Sequence, residues 1–79
     1  MGNVRSRIIQ LIHDIRPLGM PDLSTPGAPL VDGDFDSLDF ASLLMAVEDE
    51  FGIAIGEESV HKVGTLDGLI EFTVSHIQA

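Results

Sequence analysis

Residues 36–51 read Asp36-Ser37-Leu38-Asp39-Phe40-Ala41-Ser42-Leu43-Leu44-Met45-Ala46-Val47-Glu48-Asp49-Glu50-Phe51, with Gly52 next. Phe40, Leu43, Leu44, Val47 and Phe51 recur at helical spacing, which predicts a helix that buries those five side chains. Asp36 or Ser37 supplies the short polar group that caps its free N–H groups, and Gly52 supplies its stop. The opposite face then carries Leu38, Ala41, Ser42, Met45, Glu48 and Asp49, an apolar strip edged by acids.

Working outward, Val4, Ile8, Ile9, Leu11, Ile12 and Ile15 form one apolar stripe on a predicted helix over about residues 3–16, which Pro17 ends. All four prolines lie in the next twenty residues, 17–36, which have neither helical nor strand period. A connection that long in a small chain is expected to be functional or anchored across the core, with Leu23, Leu30 and Val31 as the anchors. Downstream, Ile53 and Ile55 read as a loop tucked into the core. Glu57–Val63 suits a short helix ended by Gly64. Thr65 caps a final helix over about residues 66–77 with Leu66, Leu69, Ile70, Val74 and Ile77 inward. The expected architecture is an all-α four-helix bundle with a short third helix, one domain spanning residues 1–79.

The chain has 79 residues, enough for one modest core that buries about 60% of the unfolded surface, which disfavours a deep enzyme pocket. Without cysteine it has no disulfide framework, thiolate metal site or cysteine nucleophile. Its net charge of −9 argues against nucleic acid, whose phosphates need clustered Lys and Arg, and favours a basic protein partner. That charge is local. Residues 1–31 carry +1 and residues 59–79 carry −1, whereas Asp32–Glu58 holds nine acids and no Lys or Arg. No apolar run approaches the roughly 20 residues of a membrane span, and no cleavable signal peptide is apparent, so a cytoplasmic monomer without stable membrane association is expected.

Several short patterns have ordinary readings. Gly2 and Ser6 match the N-myristoylation pattern, but the first helix starts almost at once and an ordinary start sequence is the expected reading. Asp32, Asp34 and Asp36 share the spacing of the first three ligands of a calcium-binding EF-hand loop. The rest of that loop fails: Ser37 stands where glycine is needed, Asp39 where an aliphatic residue is needed, and Leu43 where a bidentate Glu is needed. Weak cation association or an acidic loop complementing a helix dipole is expected instead. His13, His61 and His76 have no metal-ligand spacing. Ser37 has no sequence-local base, which disfavours hydrolytic catalysis and leaves the serine to be explained in another way.

Asp36-Ser37-Leu38-Asp39 and the acidic helix ending Glu48-Asp49-Glu50-Phe51 resemble the Asp-Ser-Leu signature and second helix of the acyl carrier protein family. Ile53, Ile55, Glu57, Glu58, Lys62, Val63, Thr65 and Leu66 fall where that family keeps its loop, short third helix and start of the fourth, so the likeness covers nearly the whole chain. The resemblance implies that a phosphopantetheinyl transferase moves 4′-phosphopantetheine from coenzyme A onto the Ser37 hydroxyl. Asp36 would cap the helix and help position the serine. The chain would then supply no catalysis and hold no metal; the thiol at the tip of the arm would carry an acyl, aminoacyl or other carboxylic group as a thioester. The phosphodiester would sit at a helix N-terminus, where unpaired N–H groups and the positive dipole end favour an anion. The resemblance further implies that Leu38, Asp39, Ala41, Met45, Glu48 and Asp49 form a docking surface for basic patches on the transferase, on a loading ligase and on downstream biosynthetic enzymes.

Departures from the family pattern bear on the cargo. Asp32-Gly33-Asp34-Phe35 precedes the signature where a Leu-Gly pair is common, Ser42 stands where many fatty-acid carriers have Glu, and Phe40 stands where a polar residue is frequent. These differences point away from housekeeping fatty-acid synthesis toward a specialised lipid or secondary-metabolite pathway. An aminoacyl or peptidyl carrier of the same fold is the alternative within the class. An acidic calcium-binding or docking module without a covalent arm is the alternative outside it.

Overall fold

The apolar stripe of the first helix, α1 (Asn3–Ile15), turns Ile8 and Ile12 fully into the core, with Val4, Leu11 and Ile15 half-buried beside them. The computed structural model describes residues 3–21, 23–25 and 27–77, so the Gly2 acceptor of the lipidation pattern lies outside the described residues. Three further helices follow, α2 (Ser37–Phe51), a 3-10 helix (Glu57–Val63) and α3 (Leu66–His76). The fold is all-helical, as predicted, and the short third helix has the tighter 3-10 winding. α1 packs against both α2 and α3, and the 3-10 helix packs against α3.

Local signals set the boundaries. α2 stops at Gly52, whose φ of 67° turns its N–H back to the Glu48 carbonyl at 2.9 Å. α3 starts behind Thr65, whose hydroxyl accepts the Gly68 N–H at 3.0 Å. Ile53 and Ile55 lie half-buried against the core in the loop between α2 and the 3-10 helix.

Two expectations about burial are corrected. On α3 the inward stripe runs through Leu66, Leu69 and Thr73, whereas Val74, expected inside, is 55% exposed. The period explains this: Thr73 is seven residues, nearly two full turns, beyond Leu66, and Val74 is rotated about 100° farther, outside the stripe. Tertiary geometry overrides the greater hydrophobicity of Val74. In the long connection, Leu30 is buried and Leu23 half-buried as expected, but Val31 is exposed. The Leu30 N–H donates to the Gly64 carbonyl at 2.8 Å, which pins the connection beside the start of α3 and turns the next side chain outward.

Two ion pairs from α1 add a second set of ties. Arg7 grips Glu50 of α2 with two hydrogen bonds of 2.8 and 3.2 Å, and Arg5 lies 4.0 Å from Asp67 of α3. The hydrogen bond from Arg7 holds the Glu50 carboxyl below its ordinary value of 4.5, against an opposing effect of burial. A carboxylate with a lowered folded pKa adds stability above its unfolded value and loses it as pH falls through the folded value. The stability difference between wild type and Glu50→Gln is therefore expected at neutral pH and should close below pH 4.5, read as urea midpoints across the acid range.

Thr73 is fully buried and its Oγ1 has no hydrogen-bond partner. Thr73→Val keeps the shape and removes the unpaired hydroxyl, so it should stabilise the protein by about 1 kcal/mol in urea unfolding.

Candidate functional site

The chain approaches α2 through a tight reversal. Asp32 and Phe35 exchange backbone hydrogen bonds of 2.9 and 3.0 Å around Gly33, which takes a φ of 58° in the left-handed region. Phe35 then drops fully into the core, while Asp32, Asp34 and Asp36 stay exposed around it. The aspartates are thus dispersed about a closed turn, with a buried phenyl ring between the second and third. An EF-hand loop instead needs an open arc that converges its oxygens. Among the described residues no three His, Asp or Glu side chains form a cluster that could hold a metal ion. His13, His61 and His76 are exposed on three different helices, His76 stacked on Phe72 at a centroid distance of 4.0 Å.

Asp36 is the N-cap of α2 and Ser37 its first residue. The Asp36 carboxylate accepts the Asp39 N–H at 3.0 Å, and the Asp39 carboxylate accepts the Asp36 N–H at 3.2 Å. Asp39 takes the third position of this capping box, where Glu or Gln is usual. The box satisfies two of the four donors that a helix start leaves unpaired. The Phe40 N–H is already within the helix, bonded to the Asp36 carbonyl at 2.9 Å. The N–H groups of Ser37 and Leu38 are the two left without an intrahelical partner, and Ser37 itself is exposed. An anion attached to its hydroxyl would have both donors and the positive end of the helix dipole at hand.

One cation reaches this cluster of acids. Arg16, just beyond α1, directs Nε and Nη2 to the same Asp39 oxygen at 3.1 and 2.9 Å. Hydrogen bonding and charge attraction from Asp39 raise the pKa of Arg16, with smaller contributions from Asp36 and Asp34. Arg16 thereby ties the end of α1 to the capping box. Its position just before Pro17 was visible in the sequence, but its partner twenty-three residues away was not.

The outward face of α2 divides. Leu38 and Met45 are 77% and 68% exposed, and Ala41, Ser42 and Asp49 are exposed with them. Met45, Ala46, Glu48 and Asp49 line a shallow groove there. Glu48 departs from the expected free acid: it is half-buried, and its carboxylate accepts the Ile55 N–H at 2.7 Å, fastening the loop after α2. Asp39 is likewise engaged by Arg16 and the cap.

The described residues form an all-helical bundle that presents an exposed serine at the start of α2. The model of the phosphopantetheine attachment site family matches residues 6–73, and the chain belongs to this family of acyl carrier-like proteins. The domain is a site for covalent attachment of 4′-phosphopantetheine. The residues present fit that group: an exposed serine and two N–H donors without an intrahelical partner at the head of α2.

Removing the Glu48 carboxylate tests its fastening role. Glu48→Ala should cost about 1 kcal/mol and speed hydrogen exchange at the Ile55 amide, whereas Asp49→Ala should leave that amide unchanged.

Proposed function

We propose that Ser37 is the attachment point of the arm and that the protein carries acyl groups as thioesters in a specialised lipid or secondary-metabolite pathway. The observation that carries this reading is the exposed Ser37 hydroxyl on the first turn of α2, beside two N–H groups that the helix and its capping box leave unpaired. In arm transfer the Ser37 oxygen forms a phosphodiester as the pyrophosphate linkage of coenzyme A breaks. The adenine nucleotide leaves and the serine proton passes to a base of the transferase. Asp36 caps the helix and holds the serine at its start. The arm supplies a terminal thiol for thioester chemistry, which the cysteine-free chain lacks.

The chain in this reading performs no catalysis and presents its cargo to enzymes. Leu38, Ala41, Met45 and Asp49 form the docking face, an apolar strip with an acidic edge suited to basic patches on the transferase and on enzymes that load and consume the cargo. Asp39 and Glu48 contribute charge to that face from side chains already bonded within the protein.

Incubation with coenzyme A, magnesium and a broad-specificity transferase, followed by intact-mass measurement, tests the proposal. Wild type should gain one arm and Ser37→Ala none; an equal gain in both would move the attachment elsewhere. Asp49→Lys should take the arm more slowly at low salt, with the difference shrinking as salt rises. Loading by an amino-acid ligase, with no acyl loading, would replace the acyl cargo with an aminoacyl one.

A further inference from the structure

The turn after α1 borders the attachment site and has no role in the docking face of α2. The Gly19 N–H donates to the Arg16 carbonyl at 3.2 Å, closing Arg16-Pro17-Leu18-Gly19 into a tight turn, with Pro17 restricting its backbone. Two contacts hold this turn against the start of α2. Arg16 bonds Asp39, two residues beyond Ser37. On the other side a Cβ at Gly19 would stand 2.6 Å from the Asp34 Cβ and 2.8 Å from the Arg16 Cγ, an approach that only glycine permits. Leu18, fixed at the tip between these contacts, is 98% exposed.

A leucine this exposed contributes nothing to the core, yet its turn is anchored from both sides. The restrained backbone of the turn has little conformational freedom to lose when a partner covers the side chain. Acids lie beside it: Asp34 packs on the same turn, and Asp39, Asp36 and Asp34 are close enough to Arg16 of that turn to act on its charge. An apolar anchor inside an acidic rim matches an apolar pocket rimmed by Lys and Arg. A second copy of this chain fits poorly, because a symmetric contact would set these acids against themselves.

We propose that Leu18 is a docking anchor for the transferase that acts at Ser37, entering an apolar pocket with a basic rim beside that enzyme's active site. The inference rests on the reading of Ser37 as the attachment point. It adds a second contact, from the connection after α1, to the face supplied by α2.

The test is steady-state arm transfer to the full chain, with product followed by intact mass and the concentration of the carrier varied. Leu18→Ala and Leu18→Asp should keep the wild-type urea midpoint, since the side chain is outside the core, and should raise KM for the carrier by about tenfold at unchanged kcat. Gly19→Ala, which shifts the turn but keeps Leu18, should raise KM by a smaller factor. Wild-type KM in both Leu18 variants, or a fall in kcat at constant KM, would overturn the proposal. So would dimerisation in sedimentation that disappears with Leu18→Asp, because it would assign the leucine to a second copy. Failure of wild type to take the arm would refute the Ser37 reading together with this one, whereas Ser37-dependent transfer that ignores Leu18 would refute only this one.

Discussion

The reciprocal hydrogen bonds between Asp36 and Asp39 determine where α2 begins, and the site depends on that point. They place Ser37 in the first turn, where its hydroxyl faces solvent and its own N–H and that of Leu38 stay unpaired. A start one residue later would make Ser37 the cap, with its hydroxyl spent on the helix. From that start the apolar period turns Leu43 and Val47 into the core while Leu38 and Met45 face out. Phe35 works from the other side. Buried one residue before the cap, it anchors the incoming chain and leaves its flanking aspartates at the surface.

The charge distribution follows from how the arginines are used. Arg5, Arg7 and Arg16 all come from α1 or the residue just past it, and each is spent on an acid of another segment: Asp67, Glu50 and Asp39. These pairs are exposed and individually weak, and they act together to orient α1. With the arginines so engaged, the surface around Ser37 remains acidic at Asp32, Asp34, Asp36 and Asp49. The exposed acids next to the proposed attachment point form a local negative field, which would speed encounter with basic partners and weaken with salt. An attached phosphodiester would strengthen it.

Helix boundaries were legible in the sequence because they are written locally. Asp36 and Thr65 as caps, Pro17 and Gly52 as stops, and apolar residues at helical spacing all act within a few residues of themselves. The match to the attachment-site family over residues 6–73 has the same origin, since the motif and the helix that follows it are contiguous. Errors arose where hydrophobicity was used to choose between neighbours. Val74 and Val31 are more apolar than Thr73 and as apolar as Leu30, yet the inward positions belong to Thr73 and Leu30. Helix phase decides the first case, and a hydrogen bond to Gly64 decides the second.

The sequence by itself determined the all-helical class, the extents of the elements, the apolar and acidic strip on α2 and the serine at its head, because each follows from patterns within one turn or one helix. Only the tertiary structure decided which acids of that strip are free. Glu48 is held by Ile55 and Asp39 by Arg16, while Asp49 is exposed. It also decided that Phe35 fills the core and that the turn carrying Leu18 is tied by Arg16 to Asp39, beside the proposed attachment point. The physical reason is range. These outcomes depend on contacts such as Arg16 to Asp39 and Arg7 to Glu50, which join residues 23 and 43 apart and leave no periodic trace in the chain.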